Sequence, residues 1–173
     1  MEITYDLTTL PDGAELRSVV ATPATLDGRQ VLRVSLTDEV TVNGVAGVDY
    51  VDQPTFVILP VPFENGTLEV DFCSGLNALA PDYARGFAGL AYRISDDREE
   101  YPGGRYESGA DIVLGSWLTL KVHVDGDRLT AWIDGVEVLS VAPALIPAAQ
   151  GHIGLFVDIG TEAYFSNLRI AQA

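Results

Sequence analysis

The fold of this chain is decided by residues 117–133, which read WLTLKVHVDGDRLTAWI. Over residues 118–124 every second side chain is apolar, and the alternation resumes over residues 129–133. A period of two is typical of β-strands that bury one face. The Asp125-Gly126 pair between the two runs favours a tight hairpin, because glycine adopts positive φ without strain. The segment therefore predicts two antiparallel strands joined by a short turn.

The same pattern extends over the rest of the chain. Apolar alternation recurs at residues 32–36, 68–72 and 153–159, and Asn-Gly or Asp-Gly pairs separate many of the runs. No stretch has the 3.6-residue period of an amphipathic helix, so we expect strands and no helices. About eleven to thirteen short strands leave a β-sandwich or a closed barrel. Because several strands have one apolar and one polar face, the prediction is an all-β fold: a two-sheet antiparallel β-sandwich of the jelly-roll type, forming a single domain over residues 1–173.

The net charge of the chain limits the classes of partner that it is expected to bind. The 173 residues include 25 acidic and 10 basic side chains, a net charge of −15. This sign repels phosphate backbones and anionic lipids, so we expect neither a nucleic acid nor a membrane as partner. The single cysteine, Cys73, excludes an internal disulfide. Residues 1–6 lack the features of a signal peptide, so the expected location is cytoplasmic, or extracellular if a signal has been removed. The oligomeric state stays open.

A series of motifs in the C-terminal half has a recognisable order. They are Gly115–Val122, Asp125–Leu129, Ala131–Val136, Gly151–Leu155 and Phe165–Ile170, preceded by the glycine-rich tract Arg85–Arg93. This order resembles the concanavalin A-like lectin/glucanase superfamily, in particular its laminin-G-like and 3-keto-disaccharide hydrolase branches. The resemblance implies a jelly-roll sandwich. It is less specific for function, because lectins, hydrolases and adhesive modules share this fold. Members often hold a structural calcium ion, so calcium stays open, and no other cofactor is expected.

A pair of catalytic carboxylates is incomplete in the sequence. Glycosidases need two such groups across the scissile bond. The run Glu69-Val70-Asp71 begins like the Glu-x-Asp-x-x-Glu motif of the laminarinase branch, but Ser74 stands where the second glutamate would be. The catalytic residues are therefore unknown, and we expect Glu69 and Asp71 to lie on a solvated strand face.

The candidate ligand-binding residues combine arginines, aromatic rings and carboxylates. Alternation places small residues beside Arg93, where a guanidinium suits sugar hydroxyls or a carboxylate. A glycine-hinged loop follows this strand, and the alternation over residues 153–159 places Phe156 and Asp158 opposite the core face. Trp117 is expected to plug an edge of the core, whereas Trp132 suits a stacking platform. The predicted ligand site consists of Arg93, Tyr106, Glu107, Phe156, Asp158, Arg85, Tyr101 and Trp132.

Three functions fit these observations. The first is a lectin-like module that binds carbohydrate in a groove on a concave sheet face. The second is an enzyme that acts on a glycoside, a keto-sugar or another small molecule in the same groove. The third is a structural or adhesive sandwich without a small ligand. Whether the chain is an enzyme stays open at this point.

Overall fold

The computed structural model describes residues 1–94, 108–144 and 149–173. These ranges contain twelve β-strands and one helix. The strands are β1 (Glu2–Tyr5), β2 (Glu15–Arg17), β3 (Val19–Leu26), β4 (Arg29–Leu36), β5 (Phe56–Phe63), β6 (Gly66–Leu76), β7 (Ala88–Ile94), β8 (Trp117–Asp125), β9 (Arg128–Ile133), β10 (Val136–Val141), β11 (Gly151–Val157) and β12 (Thr161–Gln172), and the helix is α1 (Asp38–Asn43).

The strands form two antiparallel sheets. The large sheet has eight strands in the order β10-β9-β8-β6-β12-β4-β3, and β1 also pairs with β12. The small sheet has four strands in the order β2-β5-β11-β7. The predicted all-β sandwich is confirmed. The six-residue helix α1 is an exception to the expected absence of helices, and the side chain of its N-cap, Thr37, accepts a hydrogen bond from the backbone of Val40 at 3.2 Å.

The core lies between the two sheets and is built by the alternation seen in the sequence. In β6, Leu68 and Val70 are fully buried, and in β11, Ile153 and Leu155 are fully buried. Each such side chain stabilises the fold by about 1.5–3 kcal/mol. We call the surface of each sheet that points away from this core its outer face.

Residues 117–133 form the predicted hairpin. Strands β8 and β9 pair from Asp125↔Arg128 to Leu120↔Ile133. Gly126 has φ 60° at the turn, which is the positive φ that favours glycine at this position. The hairpin sets the outer face of the large sheet, because Leu118, Val122 and Val124 enter the core and their neighbours point away from it.

Candidate functional site

Four side chains lie in a row across the outer face of the large sheet. In the register of the sheet, Trp117 of β8 pairs with Cys73 of β6, Cys73 pairs with Tyr164 of β12, and Tyr164 pairs with Arg33 of β4. Paired residues of neighbouring antiparallel strands lie about 4.5–5.5 Å apart and point to the same face. The row therefore brings together residues that are far apart in the sequence.

Beside this row, Arg33, Glu162 and Tyr164 form a charged triad. Arg33 Nε donates to Glu162 Oε2 at 2.6 Å, and the same carboxylate oxygen is in contact with the Arg33 Nη2. Tyr164 donates its hydroxyl proton to Glu162 Oε1. Both oxygens of the carboxylate are thus engaged, and each of the three side chains is part-buried. We refer to these three residues as the triad.

The triad fixes the protonation state of its members. Burial alone would raise the pKa of Glu162, but the hydrogen bonds from Tyr164 and Arg33 and the charge of Arg33 outweigh it and lower the pKa. Burial and the hydrogen bond to Glu162 raise the pKa of Tyr164. At neutral pH the site therefore presents a carboxylate, a neutral phenol and a guanidinium in a fixed arrangement.

The tip of the β3–β4 hairpin reaches the other end of the row. Trp117 Nε1 donates to Asp27 Oδ2 at 3.1 Å, and the guanidinium of Arg29 lies 4.6 Å from the centre of the Trp117 ring. Asp27 and Gly28 have φ of 50° and 77°, as a two-residue type I′ turn requires. The expectation that Trp117 plugs the core is wrong, since the ring is held on the outer face by this hairpin.

The hairpin reaches Trp117 because it separates from the sheet. Strand β4 pairs with β12 only through residues 32–35. Beyond an irregularity between Ser166 and Arg169, β1 takes the place of β4 beside β12. Val31 and Cys73 are consequently buried, although they alternate with core residues and belong to the outer face. Burial and the charge of Asp27 raise the pKa of the Cys73 thiol.

A second group of polar side chains continues along the outer face. Asp71 accepts hydrogen bonds from Thr119 Oγ1 at 2.6 Å and from Asn167 Nδ2 at 2.9 Å. At the next outer-face position along β6 and β12, Arg169 forms an ion pair with Glu69 at 3.2 Å. The predicted position of Glu69 and Asp71 on a strand face away from the core agrees with this arrangement, but both carboxylates have protein partners.

The predicted ligand residues are distributed over both sheets. Trp132 lies on the outer face of the large sheet, with the Lys121 ammonium 5.4 Å from its ring. Phe156 lies on the outer face of the small sheet, 6.1 Å from the ring of Phe56. Arg85 is exposed, and its guanidinium lies 4.4 Å from the centre of the Phe87 ring. Asp158 donates its backbone N–H to the carbonyl of Phe87. Tyr101, Tyr106 and Glu107 lie outside the described residues.

Arg93 fixes two turns at one end of the sandwich. Its Nε donates to the carbonyl of Glu64 at 3.0 Å, and its Nη2 donates to Asn65 Oδ1 at 3.2 Å and to the carbonyl of Gly126 at 2.7 Å. Arg93 has φ 54° at an irregularity in the β7–β11 pairing. The register places it at the opposite end of this pair from Asp158, so the structure does not bring the two together. A ligand contact by Arg93 stays a prediction.

Sequence reasoning missed the triad and the hairpin tip. Glu162 and Tyr164 alternate with the core residues Ala163 and Phe165, so a signal for one polar face was present. Nothing local shows that Arg33, 129 residues away from Glu162, pairs with this strand. The departure of the hairpin tip from the sheet likewise depends on β1, which has no motif of its own.

No group of three or more histidine, cysteine or acidic side chains that could hold a metal ion occurs in residues 1–94, 108–144 and 149–173. Asp125 ends β8 and Asp127 lies in the β8–β9 turn, and neither belongs to such a group within these ranges. In the same ranges, no helix is long and apolar enough to cross a membrane.

Comparison with known proteins decides the family. The sequence model of the 3-keto-α-glucoside-1,2-lyase-like domain matches residues 22–171. The chain belongs to this family. The resemblance to the 3-keto-disaccharide hydrolase branch is thereby confirmed. No curated protein matches the sequence.

Solved structures share the fold at low sequence identity. The carbohydrate-binding module CBM66 from Bacillus subtilis is 14% identical, with a TM-score of 0.57 over 90% of this chain and 97% of that one. A protein of unknown function with a galectin-like fold, also from Bacillus subtilis, is 11% identical, with a TM-score of 0.58 over 98% and 94%. A protein from Parabacteroides distasonis classed with the glycosyl hydrolases is 15% identical, with a TM-score of 0.57 over 94% and 100%. These likenesses show the sandwich fold of this family member.

Proposed function

We propose that this family member binds carbohydrate on the outer face of the large sheet, at the triad and Trp117. The observation that carries the proposal is that the triad, on β4 and β12, and the indole ring of Trp117, on β8, lie on the same outer face of the large sheet. Charged donors and acceptors of this kind form strong hydrogen bonds with hydroxyl groups. An indole ring adds a large apolar surface with a polar edge. The fold shared with a carbohydrate-binding module supports this proposal.

The state of Glu162 favours binding over glycoside hydrolysis. A glycosidase needs one carboxyl group with a raised pKa to protonate the leaving oxygen, and a second, ionised one across the bond. The pKa of Glu162 is lowered, and its two oxygens already accept hydrogen bonds from Arg33 and Tyr164. Such a carboxylate holds a ligand in place but does not donate a proton at neutral pH.

An enzyme that acts on a keto-glucoside is the second candidate, because the chain belongs to a lyase-like family. Elimination from a 3-keto-glucoside requires a base that removes the C2 proton, which the neighbouring ketone makes acidic, while the C1–O bond breaks and the leaving oxygen takes a proton from water. Of the two carboxylates at the ends of the row, Glu162 has both oxygens in hydrogen bonds, whereas Asp27 has the oxygen Oδ1 without one within the described residues. Turnover of a 3-keto-α-glucoside by the purified protein, lost in Asp27→Asn, would support this candidate over binding alone.

Calorimetric titration with gluco-oligosaccharides tests the binding proposal. Tyr164→Phe keeps the ring and removes the donor to Glu162, and Arg33→Ala removes the guanidinium. We expect Arg33→Ala to weaken sugar binding about tenfold, as loss of a charged hydrogen bond does. Arg17→Ala is the matched control, because it removes an arginine paired with Glu15 at 2.7 Å on the small sheet. Equal affinities of all variants would contradict the proposed site.

A further inference from the structure

Two tryptophans lie on the same outer face of the large sheet, well apart from each other. Trp117 opens β8, and Trp132 of β9 pairs with Lys121, four residues further along β8. With a strand rise of about 3.3 Å per residue and a strand spacing of about 4.8 Å, the two Cα atoms are roughly 14 Å apart. Each ring is partly exposed. The face therefore offers two aromatic surfaces rather than one.

Thr119 lies between the two rings on β8, and polar side chains of β6 and β12 lie beside it on the same face. Thr119, Asp71 and Asn167 form one hydrogen-bonded row across β8, β6 and β12. The next row contains Glu69 and Arg169, paired at 3.2 Å. Carboxylate, amide and guanidinium groups on β6 and β12 thus flank the path along β8 on the side away from β9, and each retains donor or acceptor capacity beyond the contacts named here.

A cation stands over each ring. Arg29 lies over Trp117, and Lys121 lies over Trp132. Both are exposed, and neither takes part in an ion pair within the part of the chain that the structure describes, although acidic side chains outnumber basic ones 25 to 10. Among the described residues, no side-chain hydrogen bond engages their donors, which suits a ligand at both ends of the path. The two ends are chemically alike: each has a cation, an indole and a carboxylate, which is Asp27 at Trp117 and Glu137, the register partner on β10, at Trp132.

We propose that the ligand is an oligosaccharide of more than two sugar units, which lies along β8 and contacts Trp117 at one end and Trp132 at the other. The inference rests on the proposed function and extends it from one site to a path. A disaccharide is too short to touch both rings. Binding strength should therefore grow with chain length until the ligand reaches Trp132, and then level off.

A chain-length series measures this growth. Isothermal titration uses glucose and its α-linked and β-linked oligomers up to the hexamer. For the linkage that binds, we expect the tetramer to bind about tenfold more tightly than the dimer, the gain of one additional ring contact. In Trp132→Ala, the tetramer should lose this gain, while the affinity of the dimer changes by less than about twofold.

Phe87→Ala is the matched control. It also removes an exposed ring with an arginine over it, but Phe87 lies beside the small sheet. Equal affinities of dimer and tetramer for the wild-type protein would overturn the inference and leave the proposed function intact. An equal loss of dimer and tetramer affinity in Trp132→Ala would also overturn it. If none of the oligomers binds, the proposed function fails and the inference fails with it.

Discussion

At the scale of single residues, the chemistry of the site depends on the pairing of Arg33, Glu162 and Tyr164. The lowered pKa of Glu162 links the triad to stability. A carboxyl group whose pKa is lower in the folded than in the unfolded protein stabilises the fold above its ordinary pKa. This contribution is lost as the pH falls through the folded-state value. The acid side of the stability curve therefore reports on the triad.

Glu162→Gln should change how the free energy of unfolding depends on pH in the acid range. We expect a lower free energy of unfolding at pH 7 and a shallower decline below the ordinary glutamate pKa of 4.5, because the variant has no proton to take up at this position. Urea unfolding at a series of pH values measures both. Glu137→Gln is the control, since Glu137 is exposed and makes no ion pair in the described ranges. A decline as steep as that of the wild type would argue against the triad.

Arg93 is expected to contribute to stability through its three hydrogen bonds. Arg93→Ala leaves the carbonyls of Glu64 and Gly126 without this donor, so we expect unfolding to become easier by about 1–2 kcal/mol. Chemical denaturation measures the loss. Arg128→Ala, which removes an exposed arginine from the same β8–β9 hairpin, should cost little. Unchanged stability of Arg93→Ala combined with lost sugar binding would instead support the ligand contact predicted from the sequence.

At the scale of elements, the β3–β4 hairpin connects the site to the fold. Strand β4 follows from the alternation at residues 32–36, and the Asp27-Gly28 pair predicts the turn that precedes it. Its path over the outer face was not, because it results from β1 displacing β4 at β12. The buried Cys73 lies in the row that ends at Trp117, which the hairpin tip contacts. The thiol can therefore report on whether the hairpin stays in place.

Asp27 variants should change the reactivity of Cys73. Asp27→Ala removes the acceptor for Trp117 Nε1 and disfavours the positive φ of the turn, so we expect the thiol to react several-fold faster with a disulfide reagent under native conditions. Asp27→Asn keeps an acceptor and tolerates the turn, so it should increase the rate less. Asp12→Ala, in an exposed loop, is the control. Equal rates in all four proteins would show that the hairpin does not restrict access to the thiol.

At the scale of the whole molecule, the sandwich could be predicted and the site only in part. Alternation and turn residues report on each strand separately, which is why β6, β8, β9 and β11 appear where the sequence indicated. A site on a sheet depends on which strands become neighbours. Trp132 could be predicted as a stacking residue because that prediction needed only its own large amphipathic side chain. The triad was missed because β4 and β12 meet only in the folded chain.

Net charge is the other property of the whole molecule. With a charge of −15, the compact state repels itself, so added salt should raise the melting temperature by screening. Thermal melts in increasing sodium chloride test this, with an uncharged osmolyte as control. A melting temperature that stays constant with salt would contradict the argument. Calcium chloride at the same ionic strength should raise it further only if the chain has a calcium site.

The most direct test of the central claim is a map of backbone amide and indole shifts during titration with the gluco-oligosaccharide that binds best. We predict that the shifts cluster on β4, β6, β8 and β12, with the indole N–H of Trp117 and the amides of Cys73 and Tyr164 among the most strongly affected. The amide of Phe156 on the small sheet should change little. Shifts confined to β7 and β11 would place the ligand on the small sheet and contradict the proposed site.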